Sequence, residues 1–140
     1  MLMLSSLTQA DEPQSLKLPN LKSTRMLAAW YPDRARRLDQ QGRVLVEFEI
    51  SLKGRVVNPK IISAEPSDVF EGTVTALVRG WEYDVPSNWE SSGGTTHLFR
   101  VGFIFLLRPC RATGPCNVTP FPADTSVTIT GDRLPLPPGR

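Results

Sequence analysis

The chain has 140 residues and a formal net charge of +2, from 16 basic and 14 acidic side chains. That length suits one domain with tails, and so even a charge balance argues against a nucleic-acid module, which carries a basic surplus on its binding face. No stretch reaches the ~18 apolar residues that span a bilayer, and seven of the 13 prolines lie at or beyond Pro109, so little regular structure is expected in the final segment.

The first ten residues, MLMLSSLTQA, form a short apolar run ending in Thr8-Gln9-Ala10. This loosely fits the small-x-small pattern before a signal-peptidase cut. Two readings stay open: the back half of a signal peptide shortened by a wrong start site, or a frayed terminus. Residues 1–24, interrupted by Pro13 and Pro19, are read as an N-terminal arm or signal-peptide remnant.

A helix is predicted from Tyr31-Pro32, because proline suits a first turn where its missing N–H has no helical partner. Tyr31, Ala35 and Leu38 make its apolar stripe, and Gly42 is its expected stop. Arg34, Arg36, Arg37 and Arg43 lie close together, a pattern that ordinarily marks a solvated face. Val44, Val46, Phe48 and Ile50 alternate with Leu45, Glu47 and Glu49, as in a half-buried strand. Ser51-Leu52-Lys53-Gly54 is the hairpin turn, with Gly54 where a positive φ is required. The return strand runs from Arg55 to about Ala64, and Pro59 within it implies an edge or a bulge.

Glu65 to Asp68 opens a second helix, with Ser67 or Asp68 as the cap. Its stripe is Phe70, Val74, Leu77, Val78 and Trp81. A polar loop follows Pro86. The third strand, Thr96 to Leu107, is apolar on both faces apart from Arg100 and Gly102. An open edge of that kind invites pairing with another chain.

Cys110 and Cys116 flank a turn-forming Arg-Ala-Thr-Gly-Pro. A disulfide closing this loop would add roughly 2 kcal/mol and favour an oxidising compartment; two free thiols are the other reading. One histidine, His97, leaves too few soft ligands for zinc, so neither metal nor cofactor is expected.

The predicted fold class is α+β: two helices packed on a three-stranded antiparallel sheet over residues 25–109, with a Pro-rich irregular C-terminal tail over 110–140. The predicted core is Tyr31, Leu38, Val44, Val46, Phe48, Ile50, Ile61, Phe70, Val74, Leu77, Trp81, Phe99, Val101, Phe103 and Phe105. No Gly-x-Ser-x-Gly elbow or phosphate loop is present. Glu47 and Glu49 share one strand face, as solvated carboxylates commonly do. No catalytic residue is expected, and the chain is not read as an enzyme.

The joints between these elements resemble the C-terminal domain of TonB-family energy transducers. The resemblance rests on Tyr31-Pro32-Asp33-Arg34-Ala35-Arg36-Arg37, on Gly42-Arg43-Val44-Leu45-Val46-Glu47-Phe48, and on Gly54-Arg55-Val56. It continues through Ser63-Ala64-Glu65-Pro66, Phe70, Trp81-Glu82-Tyr83-Asp84-Val85-Pro86 and Phe99-x-Val101-x-Phe103-x-Phe105. It covers roughly residues 28 to 107. It implies a periplasmic protein-binding module that grips an extended segment, the TonB box, of an outer-membrane transporter by strand addition. In the family, a membrane helix and a Pro-rich spacer link this domain to a proton-driven inner-membrane complex.

On that resemblance the partner-binding edge is Leu98, Arg100, Gly102, Ile104 and Leu106, and Arg34, Arg36 and Arg37 steer acidic residues beside the partner's box. The expected partner is such a transporter or another periplasmic protein, with membrane association only through partners. The alternative is a self-associating adaptor, a homodimer, using the same edge. Nucleic-acid binding through Arg34, Arg36, Arg37 and Arg43 is a distant third class. Lacking an apolar span and a spacer, the sequence is expected to be a stand-alone periplasmic protein or one shortened at its start codon.

Overall fold

The computed structural model describes residues 16–22, 30–110 and 117–133. In chain order the elements are β1 (Asn20–Leu21), α1 (Asp33–Arg37), β2 (Gly42–Ile50), β3 (Val56–Glu65), α2 (Glu71–Arg79), β4 (Tyr83–Asp84), a 3-10 turn at Gly94–Thr96, β5 (Phe99–Arg108) and β6 (Thr125–Asp132). The fold is α+β, as expected. The main sheet, however, has four strands in the order β3-β2-β5-β6, and β6 runs parallel to β5. A second, two-stranded sheet pairs β1 with β4.

The expected three-stranded antiparallel sheet is therefore three of the four strands of a larger mixed sheet. The segment expected to be an irregular tail supplies its fourth strand. Thr125-Ser126-Val127-Thr128-Ile129-Thr130 is free of proline and β-branched at every position but Ser126, which suits a pleated, half-buried surface.

Both helices start and stop differently from expectation. Pro32 occupies the N-cap position of α1, and the helix closes after Arg37. Asp39 takes a positive φ of 61°, and the Gln40 N–H reaches back to the Ala35 carbonyl at 2.8 Å. The stop is thus Asp39, and Gly42 is the first residue of β2. Neither Ser67 nor Asp68 caps α2. Glu71 in its first turn replaces the cap from inside: its carboxylate accepts the N–H of Asp68 at 2.7 Å and of Val69 at 3.0 Å. Gly54 turns the β2–β3 hairpin at φ +81°, and its carbonyl receives the Tyr83 N–H at 2.8 Å.

The core lies between the helices and one face of the sheet. Phe70 stacks on Phe105 at 4.2 Å between centroids, and Tyr31 meets both rings edge-on at 5.8 and 5.7 Å. Trp81 stacks on Phe103 and Trp89 on Phe99. Burial of each such side chain contributes ~1.5–3 kcal/mol before conformational entropy is charged. Of the predicted core, two members stand apart. Leu38 is 57% exposed, because α1 ends before it can turn inward. Ile61 is only half-buried, lying on the irregular β3.

Trp89, Tyr83 and Ile129 are core residues that helical or strand periodicity did not reveal. Trp89 comes from the polar loop, where its indole N–H donates to the Ile50 carbonyl at 3.0 Å. The expectation for Pro59 holds on both counts. β3 is an outer strand, and its register against β2 shifts between Leu45 and Val46 and again between Glu47 and Glu49.

Candidate partner-binding edge

Strand β5 was expected to present an open backbone edge. Its two sides are instead both paired: β2 lies antiparallel on one, with Val44 opposite Phe103, and β6 lies parallel on the other. The β6 ladder runs without interruption from Val101↔Thr125 to Arg108↔Asp132. Because successive side chains alternate between faces, Val127 and Ile129 stand over Phe103 and Phe105 on the helix side. Ile129 is fully buried there, and Val127 packs against the same core. Ser126, Thr128 and Thr130 take the other face and are exposed or partly so.

Both ends of β6 are fastened. At its start, Asp124 accepts the Arg100 N–H on its carboxylate at 2.7 Å, while its own N–H donates to the Arg100 carbonyl at 2.9 Å. At its end, the Arg133 N–H donates to the Arg108 carbonyl, and its Nε donates to the Pro109 carbonyl at 2.8 Å. The Arg133 guanidinium also pairs with Asp39, with only 6% of its side chain exposed. Asp39, the residue that stops α1, thus also anchors the last strand.

Two glycines record how closely the strand and its connection approach. A Cβ on Gly131 would lie 2.8 Å from Cγ of Tyr31, so the ring sits directly on the β6 backbone. A Cβ on Gly102 would lie 3.2 Å from the Phe121 carbonyl oxygen, because the connection to β6 crosses the sheet face away from the helices. Arg43 holds that connection: it donates to the Thr119 carbonyl at 3.1 Å, its guanidinium lies 3.9 Å over the Phe121 ring, and it pairs with Glu65 at 2.9 Å. Beside the start of β6, a groove of about 530 Å³ is lined by Leu18, Leu21, Trp81, Tyr83 and Val127 among others.

The sequence-predicted edge residues fall out as follows. Leu98 precedes β5 and is 53% exposed. Arg100 forms an ion pair with Glu47 at 2.9 Å across the sheet. Gly102 is covered by the connection, Ile104 is buried, and Leu106 is half-buried. These five share the face that looks away from the helices, and the backbone edge they were expected to offer is filled by β6. The side chains that face an added strand's own apolar residues are Phe103 and Phe105, on the opposite face.

Of the three predicted steering arginines, Arg36 and Arg37 both turn onto Asp33. Side-chain hydrogen bonds from Arg37 and then Arg36 hold the Asp33 carboxyl below its ordinary range. Arg34 is exposed and, among the described residues, has no ion pair. Cys110 is disulfide-bonded; Cys116 lies outside the described residues. Burial pushes the hydroxyls of Tyr31 and Tyr83 up, and Tyr31 uses its proton to donate to the Gln40 carbonyl.

Strand β6, Asp124 and Arg133 are parts of the candidate edge that sequence reasoning missed. The signal that could have found β6 is the period-two run from Thr125 to Thr130, set among prolines that point to irregularity.

A family model described as the Gram-negative bacterial TonB protein C-terminal matches residues 28–104. Protein TonB of Salmonella typhimurium is 44% identical over 54 residues, 39% of this chain and 22% of the relative. Protein TonB of Escherichia coli is 43% identical over 54 residues, 39% of this chain and 23% of the relative. Protein TonB of Yersinia enterocolitica is 35% identical over 72 residues, 51% of this chain and 28% of the relative. The aligned stretches thus span about a quarter of the length of these relatives.

Proposed function

Because the chain belongs to the family of Gram-negative bacterial TonB protein C-terminal domains, we propose that it is a non-catalytic, periplasmic protein-binding module of TonB-dependent transport. It grips an extended segment, the TonB box, of an outer-membrane transporter by adding that segment to β5. The observation that carries this reading is the β5 edge itself. It accepts an eight-residue strand in parallel over Val101 to Arg108, with Phe103 and Phe105 beneath the incoming apolar residues. Strand addition fits a module that must hold a segment of another protein, because backbone pairing tolerates varied partner sequences while the side-chain sockets add selectivity. Arg34 on α1, free of ion pairs among the described residues, is the best placed of the three arginines to steer an acidic partner.

The test is titration of an isotope-labelled protein with a TonB-box peptide from an outer-membrane transporter of the source organism. Backbone shifts concentrated in Phe99–Arg108 are expected. An unperturbed β5 at millimolar peptide would remove the strand-addition reading. Self-association is a second reading, favoured by the outer side of β6, which has no partner strand among the described residues. It predicts a concentration-dependent mass in sedimentation.

A further inference from the structure

We propose that Thr125–Asp132 is a built-in occupant of the strand-accepting edge, and that a partner's extended segment binds by displacing it. This deepens the reading of β5 as the gripping edge and rests on it. The first argument is position: β6 fills the outer side of β5 over its whole paired length, so a segment from outside cannot join β5 while β6 stays.

The second argument is how little of the strand is buried compared with the central strand β2. In β2 the side chains of Val44, Leu45, Val46, Phe48 and Ile50 are all buried, whereas Ile129 alone of the β6 residues is buried. Parallel pairing is also slightly weaker per residue than antiparallel pairing. Elements with few buried apolar contacts open first, without unfolding the remainder. The third argument is where the fasteners lie. Asp124 on the Arg100 backbone and Arg133 on Asp39 sit at the two ends of the strand; Asp124 is exposed, whereas the Arg133 side chain is largely covered. Releasing either frees an end from which the ladder peels.

The energetic consequence follows from linkage. A ligand that needs β6 absent binds with an apparent affinity reduced by the fraction of molecules in which β6 is away. The tail thereby sets a threshold: segments that pair no better than Thr125–Asp132 are excluded, and those that pair better exchange with it. The best available template for the ligand is the tail itself, an extended segment with aliphatic side chains two residues apart and an acidic residue at its start.

The experiment uses the full chain and, as probe, a labelled synthetic peptide of residues 124–133. Arg133→Ala is expected to raise peptide affinity at least threefold. The paired substitution Leu106→Cys/Thr130→Cys joins residues that are opposite in the ladder, where neighbouring strands meet disulfide geometry. Mass mapping first verifies that the new bond is distinct from the native one at Cys110. Oxidation is expected to cut peptide affinity at least tenfold, and reduction of the new bond to restore it. In the unlocked protein, signals of the resident Thr125–Asp132 should move to unpaired positions as peptide is added. Equal binding to locked and unlocked forms, binding that leaves the resident β6 signals in place, or no binding even to Arg133→Ala, would each overturn the proposal. The underlying reading fails separately: a chain that exchanges β6 for this peptide but ignores transporter peptides keeps a displaceable strand and loses the transport role.

Discussion

The two outer strands of the main sheet solve the same problem by opposite means. β3 protects its edge with irregularity: two register shifts, Pro59, and Asn58 at a φ of 52°. No extended segment can run straight along it, because proline withholds a donor and the bulges break the spacing of the ladder. β6 contains no proline or positive-φ residue and no register shift. It is a straight strand laid over a straight acceptor. One edge is closed by the shape of its backbone; the other is closed by a separate piece of chain, the one proposed above to leave. A module that grips extended segments, as proposed above, needs both, since an edge left bare on either side would pair indiscriminately.

The most damaging way to break this contrast is to remove the support the edges share. Phe105→Ala deletes a ring that stacks on Phe70 and touches Tyr31, and which lies opposite Ile129 in the ladder. A loss of about 3–5 kcal/mol is expected in denaturant unfolding, with both edges lost in one transition. Ile129→Ala should separate them. The ordinary cost of such a truncation is about 2–5 kcal/mol, but here the loss is capped by the free energy of releasing β6. Hydrogen exchange should then quicken in Thr125–Asp132 and along the outer side of β5, while β2 and β3 stay protected.

Glu71→Ala acts on the β3 side, in the turn that leads from β3 into α2, and should cost roughly 0.5–2 kcal/mol at neutral pH. Burial pushes the Glu71 carboxyl up, but the backbone N–H groups of Asp68, Glu71, Val69 and Phe70 outweigh this and hold it below its ordinary 4.5. A carboxylate lowered in the folded state contributes its full stability above the ordinary value and loses it as pH falls through the lowered one. The variant and the parent should therefore converge in thermal melts taken progressively below pH 4.5. Pro59→Thr is the mildest change, costing about 0.4–1 kcal/mol through the freed unfolded chain. Because it returns an N–H to the outer strand, any new self-association in sedimentation would show that proline, rather than the bulges, guards that edge.

The parts of this molecule legible in the sequence are those where local pattern and tertiary packing agree. The apolar set Val44, Val46, Phe48 and Ile50, the positive-φ turn at Gly54 and the stripe Val74, Leu77, Val78 all read correctly because their surroundings lie on the face their spacing assigns, whereas Leu45, assigned to the polar face, is buried as well. The helix ends did not. Asp39 and Glu71 perform by side chain and backbone what Gly42 and Ser67 or Asp68 were expected to do, and nothing in composition ranks these neighbours.

The candidate edge was half legible. The apolar character of β5 correctly signalled that something must cover it, yet the covering strand belongs to the same chain and lies beyond a proline-rich connection. Arg100 and Gly102 looked like flaws in an apolar face. They are matched to Glu47 and to the Phe121 carbonyl, contacts set by residues far away in sequence.

That match gives Gly102 a hereditary meaning. A bare hydrogen in mid-strand is a poor choice for a sheet on its own terms, since glycine weakens a strand interior. It is favoured here because the connection passes overhead. A relative that ended soon after β5 would be released from this constraint, and a β-branched residue at the same position would strengthen its sheet. Position 102 and the presence of the C-terminal strand should accordingly change together across descendants of a common ancestor, so that a single residue in β5 reports whether a chain carries its own occupant.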